Sequence, residues 1–247
     1  MANWNDPQPS RTGFGASPSL NGTAIGRAGY DTGLRRHMLS IYNYMASGIL
    51  LSGIVALLFA TSGAAQQIMA TPLRWVIALA PLGFVFAMSF GINRMRTSTL
   101  QILFWMFSVT MGLSLSAIFL VYTGPSIATT FFATAAAFAG LSLVGYTTKR
   151  DLSAMGSFLI MGVVGILVAM LVNIWLQSSG LALAISILGV LIFAGLTAWD
   201  TQRLKNDYQV VAGTEYAGKA VIMGALSLYL DFINMFQFLL AFLGDRR

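Results

Sequence analysis

The sequence predicts an all-α integral membrane protein, a bundle of seven transmembrane helices. Three observations carry that prediction. Hydrophobic residues make up 57% of the 247 residues and charged residues only 9%, where a soluble domain carries about a quarter. Mean hydropathy is +0.75. Seven apolar runs each reach the roughly 20 residues that a helix needs to cross a hydrocarbon core of about 30 Å.

Taken in chain order, residues 1 to about 34 are rich in Gly, Ser, Asn, Pro and Thr. That composition buries too little apolar surface to fold and predicts a disordered cytoplasmic tail. No apolar core follows a basic start near Met1, so it does not read as a signal peptide. The remainder, 35–247, reads as one transmembrane domain. Its spans cover about 38–60, 73–92, 100–122, 125–146, 153–175, 181–200 and 221–243. Polar and Gly/Pro clusters separate them, as in Thr61-Ser-Gly63, Thr123-Gly-Pro-Ser126 and Gln177-Ser-Ser-Gly180. The runs are too long and too evenly apolar for barrel strands, which leaves helices.

Lysine and arginine set the orientation. Arg11, Arg27, Arg35 and Arg36 precede the first span, Arg94 and Arg96 follow the second, and Lys149 and Arg150 follow the fourth. Arg203, Lys205 and Lys219 lie between the sixth and seventh. Eleven of the fourteen basic residues thus fall on one side, which makes the N-terminus cytoplasmic. Arg74, Arg246 and Arg247 fall on the other side if the seventh segment spans fully; a re-entrant seventh segment would return the last two. The formal charge of +6 does not point to nucleic acid, because the basic residues form no stripe with interleaved aromatics. There is no cysteine, hence no thiolate chemistry. The single histidine, His37, reads as a residue at the membrane surface and builds no metal site alone.

Two of the eight acidic residues stand inside spans: Asp200 at the end of the sixth and Asp231 within Ser227-Leu-Tyr-Leu-Asp-Phe-Ile-Asn234. Each costs about 2.5–3.5 kcal/mol at a helix centre, so both must face inward and find partners. Helical spacing puts Ser227 and Asn234 on the stripe of Asp231, and Thr197 and Arg203 beside Asp200. If the seventh helix begins in the cytosol and enters lipid near Leu226, the two carboxyls meet in the cytoplasmic half of the bundle. Two close carboxylates in low dielectric interact and titrate jointly. Arg94, ending the second span on the same face, is a candidate partner, with simple anchoring at the membrane surface as its alternative. Polar glue between helices is the alternative for the carboxyls themselves.

Leu226-Ser-Leu-Tyr-Leu-Asp-Phe-Ile-Asn-Met-Phe236, with Thr197-Ala-Trp-Asp-Thr-Gln202 upstream, resembles the Bax inhibitor-1 (transmembrane BAX inhibitor motif) family, in a bacterial form. The resemblance implies a seven-helix bundle with the last helix central, acting as a pH-sensitive calcium leak and not as an enzyme. It carries the family's aspartate pair, the pH sensor, onto Asp200 and Asp231, and the arginine that latches the pair onto Arg94. Thr197, Ser227 and Asn234 then line the ion path. Asp200 and Asp231 hold Ca²⁺ only transiently, because that ion wants 6–8 oxygens and a leak path must also release it. No cofactor is implied beyond the permeant ion. The implied partners are the lipid bilayer of a bacterial plasma membrane, calcium or other cations, and a membrane protein if the chain is instead a non-transporting regulator. An intramembrane aspartyl protease also sets two Asp on consecutive helices. Its Tyr-Asp and Gly-x-Gly-Asp motifs are absent, the chain having Trp199-Asp200 and Leu230-Asp231.

The charge asymmetry makes a direct prediction. Reporter fusions after Gly63, Pro125 and Ser179 will give the outside signal and fusions after Arg96 and Arg150 the cytoplasmic one; the reverse pattern would overturn the orientation.

Overall fold

The protein is described by a computed structural model that covers residues 20–247, with side chains from Tyr30 onward. Eight helices follow one another: α1 (Leu20–Thr61), α2 (Ala64–Met69), α3 (Leu73–Gly91), α4 (Thr97–Val121), α5 (Gly124–Thr147), α6 (Ser153–Leu176), α7 (Ser179–Val211) and α8 (Tyr216–Leu243). All but the short α2 are long and apolar enough to cross a membrane, seven in all among the described residues. The protein is an all-α multi-pass membrane protein, with connections as tight as the left-handed turns at Gly63 and Gly213 (φ 75° at both) allow.

Centrality belongs to the last helix. α8 packs against α1, α4, α5 and α7, whereas α6 leans mainly on α7 and α3 on α4. Half of the α8 span is buried, against 11% for α3 and for α6. The outer helices turn Trp75, Phe90, Phe158 and Trp175 outward instead, as lipid-facing surfaces should.

Two helices outrun their apolar cores. α7 continues eleven residues past Asp200, to Val211, so the expected end of the sixth span at residue 200 is really mid-helix. α1 likewise begins at Leu20. The expected disordered tail lies outside the described residues for 1–19, and over 20–34 the chain is helical instead. Tertiary contact supports the extension of α7 and that of α1 from Tyr30 onward. Leu34 and Leu204 are buried, and Tyr30 packs on Tyr208 with ring centroids 5.4 Å apart. His37, expected at the membrane surface, is buried with its ring 5.1 Å from that of Tyr208.

The C-terminus resolves the fate of the seventh span. α8 is unbroken over 28 residues, about 42 Å at the helical rise. Its end is tied to the α4–α5 turn: the Thr123 N–H donates to Asp245 O (3.0 Å), the Arg247 N–H to Val121 O (2.9 Å), and Arg246 lies over Tyr122. The helix is therefore long enough to cross completely, and Arg246 and Arg247 lie beside the α4–α5 turn, opposite the start of α8.

Close approach between helices rests on small residues. A Cβ on Gly112 would stand 2.6 Å from Ser52 O, and one on Gly145 would collide with the carbonyl of Ala198. Most buried hydroxyls return to their own helix: Ser108, Thr134, Thr197 and Thr201 each donate to the carbonyl four residues back. Ser52 does more. Its Oγ lies 2.6 Å from Ser108 O and 2.6 Å from the Tyr229 hydroxyl, joining α1, α4 and α8 in one fully buried contact.

Because the obstacle at Gly145 is backbone, Gly145→Ala is expected to destabilise by about 1–3 kcal/mol. Gly140→Ala on the same helix, with open space at its Cβ, is expected to cost nothing. Thermal unfolding in detergent checks the pair; equal melting temperatures would contradict the tight α5–α7 packing.

Candidate functional site

Where α7 crosses α8, the chain assembles its polar centre. Asp200 projects from α7 and Asp231 from α8, 4% and 5% exposed, and their carboxyls stand within hydrogen-bonding reach of each other. Ser227, one turn before Asp231, donates its hydroxyl to Asp200 Oδ2 at 2.7 Å. Its oxygen in turn accepts from Arg203 Nη2 at 3.1 Å. The same guanidinium nitrogen is 2.9 Å from Asp200 Oδ1, close enough for an ion pair but too far off line to count as a hydrogen bond. Asp231 Oδ2 is buried without a hydrogen-bond partner among the described residues. A carboxylate in that position is uncompensated.

The local sequence explains the placement. Asp200 and Arg203 are i and i+3 on α7 and so lie on one face. The guanidinium of Arg203 lies over Trp199, its carbon 4.7 Å from the ring centroid. Trp199 finds room because Gly156 on α6 has no Cβ, one of which would collide with the indole. Leu204 sits over Gly224 of α8 in the same way. The registers of the two helices are thereby pinned, with Asp200 level with Ser227.

Not every residue expected at the site reaches it. Thr197 is fully buried, but its hydroxyl is committed to Phe193 O at 2.8 Å. Asn234 donates to Leu230 O at 2.8 Å and lines a cavity further along α8. Arg94, the expected latch, is exposed in the α3–α4 turn. That turn meets the beginning of α8, where Lys219 Nζ donates to Ile92 O at 3.0 Å. Asp231 lies twelve residues beyond Lys219, about 18 Å along the helix. The cation beside Asp200 is instead Arg203, from the carboxylate's own helix. The signal was present in the sequence, as the i, i+3 spacing of Asp200 and Arg203.

A second set of ties surrounds the pair toward the face bearing the α7–α8 turn. Gln202 Nε2 donates to Arg150 O (2.8 Å) while its Oε1 accepts from the Leu152 N–H (2.9 Å). Lys205 Nζ donates to Tyr146 O at 2.8 Å. Side chains of α7 and α8 thus hold the turns of the neighbouring helices. No group of three or more His, Cys, Asp or Glu able to hold a metal ion exists among the described residues. Two carboxyls and a serine fall short of a tight calcium site.

Comparison with known proteins finds matches over most of the chain. A family described as "Inhibitor of apoptosis-promoting Bax1" matches residues 34–247. RP147 of Rickettsia prowazekii (strain Madrid E) is 47% identical over 219 residues, covering 88% of this chain and 93% of that protein. A Caulobacter vibrioides protein is 47% identical over 229 residues, covering 88% and 91%. The inner membrane protein YbhL of Escherichia coli (strain K12) is 45% identical over 219 residues, covering 87% and 94%.

If Arg203 is the counter-ion of a buried carboxylate, removing it leaves that charge uncompensated, which costs several kcal/mol in a fully buried pair and less at this half-open edge. Arg203→Gln is expected to lower the melting temperature in detergent at pH 8, whereas Arg94→Gln changes stability by less than about 0.5 kcal/mol. In an Asp200→Asn background the Arg203→Gln loss should shrink, because the two residues act on one interaction. Additive losses would show that they do not.

Proposed function

This chain belongs to the Bax inhibitor-1 family, and on that premise we propose that it is a pH-sensitive cation leak, Ca²⁺ being the permeant ion, gated by the coupled carboxyls of Asp200 and Asp231. The observation that carries the reading is the Asp200–Asp231 contact itself: two carboxyls on different helices, buried against each other at the centre of a membrane bundle, one with an unpartnered oxygen.

The gate follows from electrostatics. Ionised, Asp200 holds Arg203 and Ser227 and so clamps α7 to α8. The second charge, on Asp231, is tolerated only with a proton or a cation between the carboxyls. Protonation weakens the hold of Arg203 and loosens the clamp; full ionisation draws a cation into the gap. The weakness of the oxygen set suits a leak, since a conducting site must release its ion. The family resemblance supports calcium and pH as the ion and the signal, and the Escherichia coli relative, an inner membrane protein by name, supports a bacterial inner membrane. In this reading Arg203 takes the latching part, and Thr197 and Asn234 flank the path without touching the pair.

Purified protein in liposomes with a trapped Ca²⁺ dye tests this between about pH 5 and 8, the range in which perturbed carboxyls titrate. Asp200→Asn and Asp231→Asn should each change the pH profile of dye-reported entry, and the double mutant should resemble a single one, because either change destroys the pair. If both single mutants keep the wild-type profile, the carboxyls are structural glue between α7 and α8. Absence of any flux from the wild type would favour a non-transporting regulator.

A further inference from the structure

A cavity of about 460 Å³ lies in the half of the bundle remote from the carboxyl pair, floored by α7 and walled by α6 and α8. Most of its lining is apolar, but four polar side chains enter it: Asn173 of α6, Ser186 of α7, and Asn234 and Gln237 of α8. Three of them have partners. Asn173 Oδ1 accepts from the Ser178 N–H (3.0 Å), Ser186 donates to Ala182 O (2.9 Å), and Asn234 donates to Leu230 O (2.8 Å). Gln237 is exposed within the last two turns of a transmembrane helix, and its amide makes no hydrogen bond among the described residues.

That amide decides what fills the cavity. Hydrocarbon satisfies no donor or acceptor, so a lipid tail seated there would leave Gln237 and the free ends of Asn173 and Asn234 bare. Water satisfies them, and a cavity with several polar partners is the kind that holds it. The polar groups also descend in order. Asn173 is three residues from the end of α6, Gln237 six from the end of α8, and Asn234 nine from it, one helical turn short of Asp231. On the α7 side the innermost lining residue is Phe193, which stacks on Phe238 with centroids 5.9 Å apart and planes inclined by 24°. Phe238 is seated over Gly189, where a Cβ would stand 2.5 Å from its ring. Past Phe193, one turn leads to the fully buried Thr197 and nearly one more to Asp200.

We propose that this cavity is a water-filled vestibule for hydrated cations, open to the membrane face that bears the α6–α7 turn and closed along α7, toward Thr197 and Asp200, by the ring of Phe193 stacked on Phe238. The amides offer carbonyl oxygens to a cation that keeps much of its water, and the ring pair is a hydrophobic constriction of the kind that gates by dewetting. What passes through the vestibule rests on the leak reading; its hydration and its plug do not.

The natural absence of cysteine makes the test clean, because each engineered thiol is then the only one. A membrane-impermeant thiol reagent is applied to reconstituted full-length protein from the face on which Ser179→Cys is labelled. Gln237→Cys is compared with Leu171→Cys, which is exposed outside the cavity at a similar depth, about 7.5 Å from its helix end against about 9 Å for Gln237. Only a thiolate reacts, and apolar surroundings suppress it, so Gln237→Cys should label at least about tenfold faster. Thr197→Cys should resist labelling with Phe238 in place and become reactive when combined with Phe238→Ala. Equal rates at Gln237→Cys and Leu171→Cys would mean that lipid fills the groove and would overturn the vestibule. Thr197→Cys that labels equally with and without Phe238 would overturn the plug. Neither outcome depends on whether the protein conducts calcium.

Discussion

Hydrocarbon has nothing to offer an ionised carboxylate, and the crossing of α7 over α8 is organised around that constraint. Asp231 cannot face lipid, so α8 must be surrounded, and it is the helix that touches α1, α4, α5 and α7. Asp200 must lie level with Ser227 to receive its hydroxyl, which fixes the register of α7 against α8. Arg203 must reach back to Asp200 across Trp199, which requires a helix without a side chain at that contact, and α6 supplies Gly156. The positions of three helices thus follow from keeping two carboxyls away from lipid.

The same constraint divides the bundle into two unlike halves. Toward the α7–α8 turn, Gln202, Lys205 and Lys219 grip the backbone of neighbouring turns, and the extension of α1 packs on Tyr208. Toward the opposite face the packing opens. One cavity lies among α6, α7 and α8, and a second, wholly apolar, lies among α1, α4, α5 and α8. Charged and hydrogen-bonded ties resist separation, whereas cavities lower the cost of moving the side chains around them. Freedom for side-chain rearrangement therefore lies on one side of the carboxyl pair and the anchoring ties on the other.

Much of this was legible in the sequence, and the failures have physical causes. Hydropathy finds spans because lipid demands apolar length, and seven runs became seven helices. Hydropathy does not find helix ends where the chain continues as helix in water. α7 passes Asp200 to Val211 because Leu204 and Tyr208 pack on α1, a contact between residues far apart in the chain. The carboxyl pair was legible because few residues other than a partner excuse an aspartate in an apolar run. Its counter-ion was harder to identify: Arg94 and Arg203 face the same side of the membrane, and only the register of α3 and α4 against α8 separates them. The Ser52–Tyr229–Ser108 contact left no signal, since serine and tyrosine in a membrane helix are unremarkable until their helices are docked.

The central claim is that Asp200 and Asp231 are one titrating unit. Infrared difference spectroscopy of the protein in lipid, titrated with acid, follows the carbonyl stretch of protonated carboxyls directly and needs no assay of transport. A band from buried carboxyls is expected, and it should vanish in Asp200→Asn/Asp231→Asn. In either single mutant the midpoint of the remaining carboxyl should move by more than about one pH unit from its wild-type step, the threshold for coupled sites. Two bands that titrate independently, each unmoved by loss of the other, would contradict it.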